Sequence, residues 1–104
     1  MKKAKENGLT EDVRHAIAQD PAYAAEYFRE LATRPLPVQL ALLRRLKGMT
    51  QAELAGEMGL KQTHVSRLEK PDSDHLLSAY LRAAEALGAR LVLVPAKSPA
   101  VHAR

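Results

Sequence analysis

The segment "TQAELAGEMGLKQTHVSRLEK", Thr50 to Lys70, constrains the fold of this chain more than any other. Leu54, Met58, Leu60, Val65 and Leu68 recur at helical spacing and form the inward positions of two short helices. Gly59 interrupts them and supplies a left-handed turn, which a residue with a β-carbon adopts only with strain. Ala55 is small and lets the two helices approach closely. Thr50 with Glu53 three residues on predicts a capping box at the start of the first helix. Such a pair can neither lengthen nor slide without losing its turn, so it dictates a compact helical bundle around itself.

The rest of the chain supplies short helices for that bundle. Thr10 predicts a cap for a helix over 11–19. Asp20 and Pro21 are a good cap and first residue for a helix to about Thr33, where "RPLP" stops it. "PVQLALLRRLK", about 37–47, predicts a helix closed by Gly48. Leu36, Leu40 and Leu43 lie on one of its faces, and Leu42 and Leu46 on another. One face is expected to meet the two-helix segment and the other the stripe in "AYAAEYFREL". A further helix is expected over 79–87, capped by Ser78 and closed by Gly88. "RLVLV", Arg90, Leu91, Val92, Leu93 and Val94, reads as a strand. One strand cannot satisfy its own backbone groups, so the expectation is pairing with the same strand of a second chain in a two-fold dimer. The expected fold is therefore mainly all-α, five to six short helices with one C-terminal strand pairing across a dimer. Residues 1–35 form an N-terminal helical segment, 36–94 the main domain, and 95–104, rich in Pro and Ala, a disordered tail.

Composition narrows the function. The 104 residues are 46% hydrophobic and 27% charged, which suits one globular domain. There is no cysteine, which removes disulfide scaffolds, thiolate metal sites and cysteine nucleophiles. No apolar run approaches the roughly 20 residues of a membrane span. The basic start lacks the apolar stretch of a secretory signal, so a soluble cytoplasmic protein is expected. Asp72, Asp74 and His75 share one loop and are too few for a metal site, and Ser66 or Ser78 as a nucleophile would need a His–acid partner that nothing in the sequence suggests. The expectation is a protein with no cofactor, no metal and no enzyme activity.

The net charge of +4 arises entirely in 36–104, around the two-helix segment. Its second helix projects Gln62, Thr63, His64, Ser66 and Arg67 outward. Gln can pair bidentately with adenine, Arg with guanine, and Thr can meet a thymine methyl. Gln51, Lys61 and Lys70 are placed to hold phosphates. This is helix-turn-helix spacing with a groove-reading helix.

"LLRRLKGMTQAELAGEMGLKQTHVSRLEK" resembles the Cro/repressor-type (Xre) helix-turn-helix family, with a lambda-repressor-like bundle. The matching parts are the "GMTQAELA" opening, the "MG" turn and the "VSRLE" close. The resemblance implies that Gln51 contacts phosphate, that base reading starts at Gln62, Thr63 and His64, and that Arg44 and Glu69 form a buried pair. Lys61 departs from the family's hydroxyl-bearing cap, and Gly56 falls in mid-helix. The flanks "DPAYAAEYFREL" and "LSAYLRAAEALGARLVLV" resemble HigA-type antitoxins of type II toxin–antitoxin modules. That likeness implies a repressor of a palindromic double-stranded DNA operator, acting as a homodimer, which also inhibits a small basic ribonuclease of the RelE/HigB type. Tyr23, Tyr27, Phe28 and Leu31 are then the candidate toxin contacts, since three of the four aromatic residues lie in that segment. The alternative is a stand-alone regulator whose first third is structural.

Overall fold

The structure is a computed structural model that describes residues 2–96, with side chains from Glu11 onward. It holds six helices in this range: α1 (Lys2–Gln19), α2 (Pro21–Leu31), α3 (Leu36–Leu46), α4 (Gln51–Met58), α5 (Gln62–Leu68) and α6 (Leu77–Ala86). Helices α4 and α5 pack on each other, α6 closes against α4, and α1 packs on both α2 and α3.

Local chemistry sets most of these boundaries. The Asp20 carboxylate accepts from the backbone N–H groups of Ala22 and Tyr23 at 3.0 and 3.2 Å, ahead of Pro21. At α4 the Thr50 hydroxyl accepts from the Glu53 N–H at 3.0 Å, and the Glu53 carboxylate accepts from the Thr50 N–H at 2.8 Å. Both halves of the expected capping box are present. Helix α4 ends at Gly59, φ +70°, and the next N–H, of Leu60, returns to the Ala55 carbonyl at 2.8 Å. The same device ends α3 through Met49 and α6 through Ala89. In each case the residue after the glycine is apolar and packs on the core.

The core lies where the pattern puts it. Leu40, Leu54, Ala55, Met58, Val65, Leu68, Tyr80, Ala83, Ala84 and Leu87 are buried in one cluster, with Leu36, Leu43 and Leu60 packed at its edge. Arg82 ties α6 to α4 by donating to the Met58 carbonyl at 2.7 Å, one of the carbonyls a helix end leaves unpaired.

Four expectations change. Helix α1 runs through Thr10 without stopping, so Thr10 is no cap. Helix α6 starts at Leu77 with Leu76 at its N-cap, so Ser78 lies inside the helix and no side chain caps it. The main cover of the outer side of α3 is α1, with α2 packed on α1 in turn. Helix α1 is longer than α2, 18 residues against 11, and so has the length to pack on both α2 and α3. Finally, Arg90–Val94 forms no strand among the described residues. A strand is defined by its ladder, and among the described residues no second strand lies beside this segment to bond. Leu91 packs on the core, while Val92, Leu93 and Val94 face solvent. The expectation of a disordered tail over 95–104 falls mainly on residues outside the described range.

Gly56 sits in α4 facing solvent, and a β-carbon added there would meet nothing within 4 Å. Nothing in the fold requires a glycine. Gly56→Ala is expected to stabilise the protein by about 1 kcal/mol, read as a higher urea midpoint at unchanged slope.

Candidate nucleic-acid interface

Helix α5 has two sides with opposite chemistry. Val65 and Leu68 are buried against α4 and the rest of the core. Gln62, Thr63, His64 and Arg67 are exposed, and Ser66 is half-buried at the edge. Lys61 and Lys70 stand exposed at the two ends, and Gln51 is half-buried at the first turn of α4. All five outward residues named from the sequence thus come together on one helix face, with three flanking candidates around it. Lys61 occupies the N-cap and makes no side-chain capping bond, which leaves the first N–H groups of α5 directed outward.

A continuous chain of hydrogen bonds fixes the lead residue of this face. Arg44 donates through Nε and Nη2 to the two Glu69 oxygens at 2.6 and 3.0 Å. Its Nη1 donates to the Met49 carbonyl at 2.8 Å, in the turn between α3 and α4. Glu69 Oε1 also accepts from Gln51 Nε2 at 2.9 Å. Gln51 Oε1 in turn accepts from Gln62 Nε2 at 2.7 Å. The Arg44–Glu69 pair is buried and bidentate, so it is a rigid anchor. Rigidity passes from it to Gln51 and then to Gln62. With one N–H held by Gln51, the Gln62 amide keeps a second N–H and its carbonyl oxygen, a donor and an acceptor side by side.

The Gln51–Gln62 bond is the part that sequence reasoning missed. Its signal was present, because both glutamines are the first helical residue after an N-cap, at the two helix starts that flank one turn. His75 lies in the loop between α5 and α6 and holds it in place. Its Nε2 lies 3.3 Å from the Arg67 carbonyl and 3.1 Å from Ser73 Oγ, and its ring meets Tyr80 edge-on. The loop after α5 is thereby tied back to the end of that helix. Among the described residues no group of three or more His, Cys, Asp or Glu side chains could hold a metal ion. No helix in that range is long and apolar enough to cross a membrane.

The aromatic stripe of α2 is distinct from this face. Tyr23 and Tyr27 stack at 6.3 Å, and Phe28 meets Tyr27 edge-on at 5.5 Å. Tyr23 is 38% and Phe28 42% exposed, while Leu31 is only 6% exposed. Each i to i+4 step turns about 40° around a helix, so the line from Tyr23 through Tyr27 to Leu31 winds inward. Leu31 therefore supports the stripe from within and is not part of its open surface. Burial pushes the Tyr27 phenol above its ordinary value, Tyr23 adds to this, and Arg34 opposes it.

A short helix with an open polar face, seated on a partner helix by a buried seam, is the architecture of a DNA-binding helix-turn-helix regulator. The comparisons agree: residues 40–91 match the helix-turn-helix family model, and the chain belongs to that family, in its Xre-type branch. It is 40% identical over 82 residues to a protein named Antitoxin HigA1 from Mycobacterium tuberculosis, in two strains, covering 79% of this chain and 55% of that relative. It is 34% identical over 71 residues to an uncharacterised HTH-type transcriptional regulator, y4dL, of Sinorhizobium fredii, covering 67% of this chain and 36% of that protein. The chain thus spans about half the length, or less, of these curated relatives. No solved structure matches it.

Proposed function

We propose that this protein is the antitoxin and autorepressor of a type II toxin–antitoxin module. The observation that carries the proposal is the pairing of two separate surfaces, the polar face of α5 and the aromatic stripe of α2, in a chain 40% identical to Antitoxin HigA1. That alignment covers 82 residues, more than 40–91 contains, and only 13 residues follow position 91. The likeness therefore enters the N-terminal part that bears the stripe.

On DNA, α5 enters the major groove of a palindromic operator. Gln62, positioned by Gln51, pairs with an adenine, and Arg67 with a guanine. Thr63, His64 and Ser66 complete the reading face. Lys61, Lys70 and the second N–H of Gln51 bind phosphate. Two chains bind half-sites about one turn apart, roughly 34–36 Å, and occlude the promoter. Pairing of Arg90, Leu91, Val92, Leu93 and Val94 across the dimer would give that segment the ladder it lacks alone. Residues 36–94 are the DNA-binding and dimerising part, and residues 1–35 contact the toxin. Exposed Asp20 at the N-cap of α2 and Glu26 and Glu30 within it share this helix with Tyr23, Tyr27 and Phe28, and Arg29, paired with Glu26, offsets one of the three carboxylates. Aromatics beside an excess of carboxylates suit a small basic protein. The role needs no catalysis, cofactor or metal and is exercised in the cytoplasm.

Arg67→Ala is expected to weaken operator binding by about 1–3 kcal/mol and to relax one base position. Lys61→Ala should weaken all sequences alike and lower the slope of log affinity against log salt by about 0.9. Fluorescence anisotropy with operator and scrambled duplexes separates the two, and unchanged affinity in the Arg67 variant would remove α5 from the groove. For the antitoxin role, the protein is purified from its native cells beside the Tyr23→Glu, Phe28→Glu variant. A small basic protein should accompany the first and be lost from the second, while both bind operator. If nothing accompanies either, the protein is a stand-alone regulator, the reading that its 34% identity to y4dL favours.

A further inference from the structure

The loop between α5 and α6 is built more tightly than a connection requires. Glu69 is the C-cap of α5 and Leu76 the N-cap of α6, with "KPDSDH" between them. The two ends of this stretch meet on one oxygen. The Arg67 carbonyl accepts from the Lys70 N–H at 3.2 Å, and His75 Nε2 lies 3.3 Å from the same carbonyl. A carbonyl oxygen has two lone pairs and can only accept, so the ring contact needs the proton on Nε2. That nitrogen also lies 3.1 Å from Ser73 Oγ. The Ser73 N–H donates to the Lys70 carbonyl at 3.0 Å, which closes a turn with Pro71 at its second position. The imidazole is held from behind as well. It is half-buried and meets the ring of Tyr80, a core residue of α6, edge-on at 5.9 Å.

A connection of this length needs no side-chain clasp to close. What the clasp does is fix Lys70. Both backbone groups of Lys70 are engaged within the loop, while its side chain is exposed at the end of the polar face of α5. Among the described residues Lys70 forms no ion pair. Asp72 and Asp74 are exposed in the same loop, so a loop free to move would offer the ammonium two carboxylates close at hand.

We infer that His75 is a positioning residue for DNA binding, whose imidazole clasps the loop to the Arg67 carbonyl and so presents Lys70 to a phosphate. This role rests on the proposed phosphate contact of Lys70 and names what holds that residue ready. A loop closed at both ends is ordered before DNA arrives, so binding does not carry the entropy cost of ordering it. Without the ring, the Lys70 N–H keeps its bond to Arg67, but the far end of the loop is released. Asp72 and Asp74 then compete with the phosphate for the lysine.

Salt dependence of DNA binding tests this role, because each phosphate contact contributes its own share to the slope of log affinity against log salt. The full-length protein is titrated by fluorescence anisotropy against a duplex from upstream of its own gene and a scrambled duplex of equal length. Lys70→Ala should lower the slope by about 0.9 per chain bound, the share of one phosphate. His75→Ala should lower it by the same amount, although it removes no lysine or arginine. Lys70→Ala combined with His75→Ala should lower it no further. His75→Gln, whose uncharged Nε2 amide can donate to the Arg67 carbonyl, should return the slope to the wild-type value. A loss of folded protein lowers affinity at every salt concentration and leaves the slope alone, so a purely structural role is separable. His75 loses the positioning role if His75→Ala keeps the wild-type slope, or if the double variant loses two shares. It loses the role equally if His75→Ala lowers the slope and His75→Gln does not recover it, since the imidazole then meets DNA through its own charge. Each of these results leaves the Lys70 contact standing. A Lys70→Ala variant with the wild-type slope overturns that contact, and the positioning role with it.

Discussion

Glu69→Ala is expected to destabilise the protein by about 3–5 kcal/mol, because it leaves the buried Arg44 guanidinium without its counter-charge. Domains of this size are stable by only about 5–15 kcal/mol, so the variant should stand close to unfolding at ambient temperature. The loss also propagates. Glu69 Oε1 is the acceptor for Gln51, and Gln51 is the acceptor for Gln62. A chain that still folds at low temperature should bind its operator more weakly than stability alone explains. Replacing both partners, Arg44→Met with Glu69→Leu, should restore most of the stability, since an apolar pair needs no counter-charge. It should not restore the orientation of Gln62. Urea unfolding and operator titration of the three variants separate these effects. A loss under 1 kcal/mol in Glu69→Ala would mean that water reaches the pair and that it anchors nothing.

The second large effect is expected at Leu54, which is buried between α4 and its neighbours in the core cluster. Leu54→Ala removes three carbons from a close-packed site and should cost about 2–5 kcal/mol, depending on how far the site collapses. Leu54 lies on the seam that seats the reading helix, so the variant should also broaden the operator response as well as lower the urea midpoint. By contrast, Ala52→Ser on the exposed face of the same helix should move stability by less than about 0.5 kcal/mol. Equal effects at the two positions would mean that α4 does not hold its inward face against the bundle.

Much of the site was legible because it obeys local rules. Thr50 with Glu53, Asp20 with Pro21, and Gly48, Gly59 and Gly88 each act within a few residues of themselves. Their caps and turns stand where the residues demand. The polar face of α5 was legible for the same reason, since a helix with Val65 and Leu68 on one side must turn Gln62, Thr63, His64 and Arg67 to the other. The positions that misled were those where a local cue competes with packing. Thr10 and Ser78 are good caps by type, yet the helices run past or begin before them. Leu31 belongs to the aromatic stripe by spacing, yet its burial depends on how α2 meets the body.

The sequence by itself determined the number and kind of helices, the turn between α4 and α5, and the chemistry of the face that α5 presents. These follow from periodicity, capping and side-chain polarity, which are properties of neighbours along the chain. Only the tertiary structure decided that α1 rather than α2 covers α3, that Gln51 holds Gln62, and that the leucines of α6 are left without a cover. Those depend on which distant surfaces meet, and the periodicity of one helix specifies that it needs a partner without specifying which.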